Sequence, residues 1–110
     1  MLGVIGGSGV YALPELAAGD SVEMETPFGV PSGPLRVGRI GRTDIAFVPR
    51  HGPGHRFSPT DLPYRANVYA LKLLGVTHVL SISAVGSLLE PLPPRTRVVP
   101  DQIIDRTLQR

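Results

Sequence analysis

Three observations predict an α/β fold. Three apolar runs each end in small or basic residues: Val4-Ile5 in Gly6-Gly7-Ser8-Gly9, Ile45–Val48 in Pro49-Arg50-His51-Gly52, and the 78–82 run in Ser83–Ser87. Two runs, Leu35–Ile40 and Ile45–Val48, are parted by a turn short enough for a hairpin. A helical pattern over 60–74 then feeds the strand at His78–Ser83, as in an α/β crossover. In such folds ligands sit outside the carboxyl ends of the strands. Strand ends carrying Ser8, Arg50 with His51, and Ser83 are therefore expected to converge on one anion.

The 110 residues suffice for one small domain. With 42% hydrophobic and 18% charged residues, the composition is that of a folded chain rather than a disordered one. The formal charge is +2 and the basic residues are scattered, so no nucleic-acid or membrane-binding stripe is expected. No apolar run approaches the length of a membrane span, and no secretory leader is read at the N-terminus. The absence of cysteine excludes disulfides and thiolate metal sites and suits a cytoplasmic protein. The 13 glycines and 12 prolines fall between apolar runs and not in one tract, which marks a loop-rich domain rather than a linker.

Met1–Ile5 reads as the first strand. Gly7, Gly9 and Ala12 after it fit the loose dinucleotide pattern G-x-G-x-x-G/A, but Pro14 and Gly19 leave no room for the crossover helix that pattern requires. A glycine turn serving chain geometry alone is a second reading. The favoured one is a phosphate-cradling loop, in which consecutive backbone N–H groups and a serine hydroxyl form an anion nest. Ser21–Thr26 alternates as a strand does, and Pro27–Pro34 is a loop of restricted geometry. Leu35–Ile40 and Ile45–Val48 then form the hairpin. Its second arm is nearly all apolar and is expected to be central, buried on both faces.

That arm ends in Pro49-Arg50-His51-Gly52-Pro53-Gly54-His55-Arg56, the richest chemical cluster in the chain. His51 and His55 are four apart, a spacing that shares a face only on a helix, and the stretch is a Pro/Gly loop. No Asp or Glu lies between Asp44 and Asp61 to complete a ligand set, so no metal is expected. A solvated basic loop is the plain alternative. Arg50 is the leading candidate, because a guanidinium forks onto phosphate bidentately and stays charged at any working pH.

Thr60 or Ser58 is expected to cap the helix, with Asp61 and Pro63 in its first turn. Leu62, Ala66, Tyr69, Ala70 and Leu73 are expected on its buried face, and Gly75 as its C-terminal stop. Tyr64, Arg65 and Asn67 read as exterior, although Arg65 and Asn67 also stand where they could brace the basic loop. The strand after the helix is expected to be buried, with His78 at the surface. Leu88–Pro94 is a stiff loop, and Arg97–Pro100 resembles another strand.

Five motifs then carry a resemblance. IGGSGVY at 5–11, ETPFGVPS at 25–32, PRHGPGHRFSP at 49–59, YRANVYALKLLGVTHVLSISAVGSL at 64–88 and VVPDQIIDRT at 98–107 occur in family order. Together the chain resembles the N-terminal part of the purine nucleoside phosphorylases, in their methylthioadenosine phosphorylase branch.

The resemblance implies a mixed central sheet flanked by helices. Residues 1–110 would form the N-terminal part of a single, truncated nucleoside phosphorylase domain, because family members are considerably longer. It implies phosphorolysis: inorganic phosphate attacks C1′ of a purine nucleoside and the free base leaves. The phosphate would be held by Ser8, Arg50, His51, Ser83 and Ala84, with His55 near the sugar. Phosphate is a co-substrate, and neither metal nor organic cofactor is implied. The wording of the motifs favours S-methyl-5′-thioadenosine. A 6-oxopurine nucleoside, or an inactive phosphate-binding fragment lacking the purine-binding half, are the alternatives. Family members assemble as homotrimers or hexamers.

Overall fold

A computed structural model describes residues 1–11 and 13–107, and the backbone alone at Ser8, Tyr11 and Ala17. The strands are β1 (Leu2–Gly6), β2 (Asp20–Val22), β3 (Leu35–Ile40), β4 (Thr43–Pro49) and β5 (His78–Ser81). They form one mixed sheet in the order β2-β3-β4-β1-β5. The hairpin is as expected: β3 and β4 pair antiparallel, with Arg36 opposite Phe47 and Ile40 opposite Thr43. The crossover is also present, since β4 and β5 both lie parallel to β1 and flank it.

Period-two alternation assigns each side chain of β4 to a face. Ile45 and Phe47 pack with Val4 and Leu16, under the short helices α1 (Ser8–Tyr11) and α2 (Pro14–Ala17). Ala46 and Val48 pack with Leu35 on the opposite face, against Ala70 and Leu71 of α3 (Tyr64–Leu73). Every residue from Ile45 to Pro49 is buried, as the apolar run predicts. Helix α3 ends in a Schellman motif. Gly75, at φ +77°, donates to Lys72 O, and Val76 donates to Leu71 O.

Several expectations are corrected. The strand read over Ser21–Thr26 stops at Val22, and Thr26 instead closes a tight turn through paired backbone bonds with Gly29. Helix α3 begins at Tyr64 behind Pro63 and no side chain caps it; Ser58 and Asp61 bond to each other in the preceding turn. Its buried stripe is Ala66, Asn67, Ala70 and Leu71, while Leu73 is 56% exposed. Strand β5 is not buried: it is the outer strand, and Val79 is 51% exposed. Helix α3 packs on Ala46, Val48 and Leu35, and no residue of β5 belongs to that cluster. Arg97–Pro100 is exposed and forms no strand. Ala12, the third member of the dinucleotide pattern, lies outside the described residues.

Candidate functional site

The parallel pairing of β4, β1 and β5 brings three carboxyl ends to one edge of the sheet. Pro49 is level with Gly6, and Ser81 with Ile5. Backbone bonds extend both ladders past the strands: Arg50 N–H donates to Gly6 O at 3.0 Å, and Ile82 N–H to Ile5 O at 2.8 Å. Arg50 and Ser83 therefore leave the sheet on either side of the glycine stretch that follows β1.

The Arg50 guanidinium spans that gap. Its Nη1 donates to Ser83 Oγ at 2.5 Å, and its Nε donates to His51 Nε2 at 3.2 Å. Its Nη2 lies 3.8 Å from where a β-carbon on Gly7 would stand. A guanidinium carries five N–H donors and no acceptor. Two bonds to neighbours thus orient the fork and leave donors for an oxyanion. Ser83 Oγ accepts from Arg50, so its own hydrogen can still be donated outward.

The His51 ring is held in one tautomer. Arginine cannot accept, so His51 Nε2 carries the lone pair and Nδ1 the proton. That Nδ1–H faces Phe57 O at 3.1 Å, and Phe57 N–H donates back to His51 O at 3.1 Å. His51 is thus pinned by ring and backbone together, and in this arrangement it orients the guanidinium. His55 stacks on it, ring centroids 5.9 Å apart and planes 27° from parallel. His55 itself stands at φ +56°, in the left-handed region that non-glycine residues seldom adopt.

Of the residues proposed from sequence, Arg50, His51, His55 and Ser83 form one connected group. Ser8 opens α1 directly after β1, at the same edge of the sheet, and its side chain lies outside the described residues. Ala84 joins the group through the chain, next to Ser83 on an exposed stretch. A 410 Å³ cavity opens beside the turn, lined by Arg36, Phe47, Pro49, Gly52 and His55 among others. His55 thus lines that cavity and also stacks on His51. Among the described residues no three His, Asp or Glu side chains gather as metal ligands would. No helix there is long and apolar enough to cross a membrane.

Two buried polar residues support this loop. Asn67, expected either on the exterior or bracing the basic loop, is 2% exposed and reaches the loop through Ser32, which is equally buried and carries no signal of its own in the sequence. Asn67 Oδ1 accepts from Ser32 N–H at 2.8 Å, and Ser32 Oγ donates to Pro49 O at 2.5 Å. The signal for Asn67 was its place four residues before Leu71 and seven before Leu74, on one helical stripe.

The chain is similar to known phosphorylases in sequence and in fold. The S-methyl-5′-thioadenosine phosphorylase of Chloroflexus aurantiacus is 54% identical over 106 residues, covering 96% of this chain and 37% of the relative. A methylthioadenosine phosphorylase from an antarctic soil metagenomic library superposes with a TM-score of 0.77 at 50% identity, over 84% of this chain and 32% of that one. A variant of the adenosine/methylthioadenosine phosphorylase of Schistosoma mansoni, solved in complex with methylthioadenosine, gives 0.75 at 46% identity over the same shares. The chain thus spans a little over a third of the length of the first of these and about a third of the other two. The model of the phosphorylase superfamily matches residues 1–110 from end to end, and the chain belongs to that superfamily.

Proposed function

We propose that the ends of β1, β4 and β5 hold inorganic phosphate, and that the chain supplies this part of an enzyme cleaving S-methyl-5′-thioadenosine. The observation that carries the reading is the Arg50 guanidinium, bonded to Ser83 and lying over Gly7, with donors to spare. The names of the relatives supply the nucleoside. Arg50 would fork onto the phosphate and Ser83 would donate its hydroxyl hydrogen. Ser8 would donate from the glycine turn, and Ala84 its backbone N–H. His51 would fix the guanidinium, and His55 would reach toward the sugar.

In the reaction a phosphate oxygen forms a bond to C1′ as the bond from C1′ to the purine nitrogen breaks. Adenine leaves with a proton, and 5-methylthioribose 1-phosphate remains. The protein contributes chiefly position and electrostatics: a fixed cationic fork holds the nucleophile facing the sugar as positive charge develops there. The reaction needs neither a metal nor an organic cofactor. The working enzyme is a homotrimer or hexamer in the cytoplasm.

Base release tests the reading. The purified chain is given methylthioadenosine or inosine, each with and without phosphate. Phosphate-dependent release of adenine supports it. Release of hypoxanthine alone moves the substrate to the 6-oxopurines. No release from either makes these residues a phosphate-binding piece that is inactive by itself.

A further inference from the structure

We propose that Ser32 and Asn67 are positioning residues for the Arg50–His51 pair, acting through the carbonyl of Pro49; the inference rests on the phosphate-site reading above. Arg50 and His51 are the two central residues of a turn closed by Gly52 N–H donating to Pro49 O at 2.9 Å. The direction in which both side chains leave the sheet is set by the backbone of that turn. One flank of the turn is tied to β1 through Arg50 N–H and Gly6 O. The other flank is tied by Ser32.

The Ser32 hydroxyl has one hydrogen and two neighbouring acceptors. Pro49 O is at 2.5 Å and Asn67 Oδ1 at 3.1 Å, so the hydrogen goes to Pro49. Asn67 then fixes Ser32 itself by accepting its backbone N–H at 2.8 Å. Asn67 does this from the buried stripe of α3, where an unbonded amide would be costly. The fit is close: a β-carbon on Gly52, at φ +72°, would stand 2.5 Å from Ser32 O. The 31–33 loop is thus moulded against the turn, and helix α3 reaches the phosphate fork through three residues without touching it. A small tilt of the turn would swing the guanidinium away from Ser83, and misplacement on that scale weakens both binding and chemistry.

The test uses the 110-residue chain, with Ser32→Ala, Ser32→Thr and Ser32→Cys variants checked for folding by circular dichroism. Two readouts are taken: the imidazole 15N shifts of His51, which report its tautomer, and the dissociation constant for inorganic phosphate. Folded Ser32→Ala is expected to lose the pure Nδ1–H signature and to bind phosphate about 5- to 10-fold more weakly, the scale of one hydrogen bond. Ser32→Thr, which keeps the hydroxyl, is expected to restore both. Should Ser32→Ala fail to fold, Ser32→Cys carries the test, because it nearly keeps the volume and replaces the hydroxyl with a weak donor. A folded Ala or Cys variant with unchanged His51 shifts and unchanged phosphate affinity overturns the proposal. A wild-type chain that binds no phosphate ends the phosphate reading instead, and the His51 shifts still decide the positioning role.

Discussion

Arg50 Nη1 meets Ser83 Oγ at 2.5 Å, and the two residues follow strands that are not neighbours. Strand β1 lies between β4 and β5, so the contact crosses the end of β1, over Gly7. One side chain thus joins the ends of three parallel strands. This is where open α/β sheets bind ligands, because the strands terminate and the backbone turns away there. The bond also fixes the donor geometry before any anion arrives, which lowers the cost of ordering a long side chain on binding.

Replacing Arg50 by Lys keeps the charge and removes the fork. An ammonium is a compact point charge, and cannot reproduce the planar Nε and Nη1 bonds to His51 and Ser83 with further donors left for phosphate. Phosphate binding is expected to weaken by about 1–3 kcal/mol, the scale of a charge-assisted bond. Calorimetric titration of wild type and Arg50→Lys with phosphate measures it, and equal affinities would remove Arg50 from the site.

Gly52 and Gly54 both have positive φ, at +72° and +70°, but differ in ψ: Gly54, at 19°, is left-handed helical, and Gly52, at 169°, lies in a region that essentially only glycine adopts. An added β-carbon on Gly54 meets nothing within 4 Å, whereas on Gly52 it would stand 2.5 Å from Ser32 O. Gly54→Ala should cost only the conformational strain, about 1–2 kcal/mol. Gly52→Ala adds both a costlier backbone conformation and a clash with backbone that cannot swing aside. Its melting temperature should fall further, by at least about 5 °C beyond that of Gly54→Ala. Equal melting temperatures would mean that the 31–33 loop is not packed on the turn.

The sheet was largely legible because its signals are local. The apolar run at Ile45–Val48 fixes a buried strand, the short turn at 41–43 fixes the hairpin, and Gly75 fixes the end of α3. Arg50, His51 and Ser83 are legible as strand-end residues, because they follow apolar runs. What sequence did not show depends on what covers what. Val79 and Leu80 have the residue types of a buried strand, but β5 lies at the sheet edge, outside the core cluster that α3 covers. Asn67 reads either as exterior or as a brace for the basic loop, and only a partner 35 residues away, Ser32, decides for the brace. Strand and helix periodicity carry no information about such long-range partners.

The glycine stretch yields a prediction of exclusion. A dinucleotide fingerprint needs a helix running on from the turn after the first strand. Here α1 ends at Tyr11, after four residues, and Pro14 starts the next short helix. NAD should therefore neither compete with phosphate nor raise the melting temperature of the chain. Displacement of phosphate by micromolar NAD would return the glycine turn to the dinucleotide class.

Arg39 and Asp44 face each other across β3 and β4, with Nε 2.8 Å from Oδ1. The hydrogen bond from Arg39, and then its charge, hold the Asp44 carboxyl below the ordinary value of 3.8. A carboxyl depressed on folding stabilises the fold above its unfolded pKa, and that contribution is lost as pH falls through the folded value. The pair therefore contributes at neutral pH and not in strong acid. Both side chains are more than half exposed, so water and salt screen the attraction. Asp44→Asn should lower the melting temperature at pH 7 by no more than roughly a degree or two. The gap should close below the folded pKa, and in molar salt. Thermal unfolding of both proteins at neutral and acid pH measures this, and a gap that widened toward acid would contradict the assigned direction.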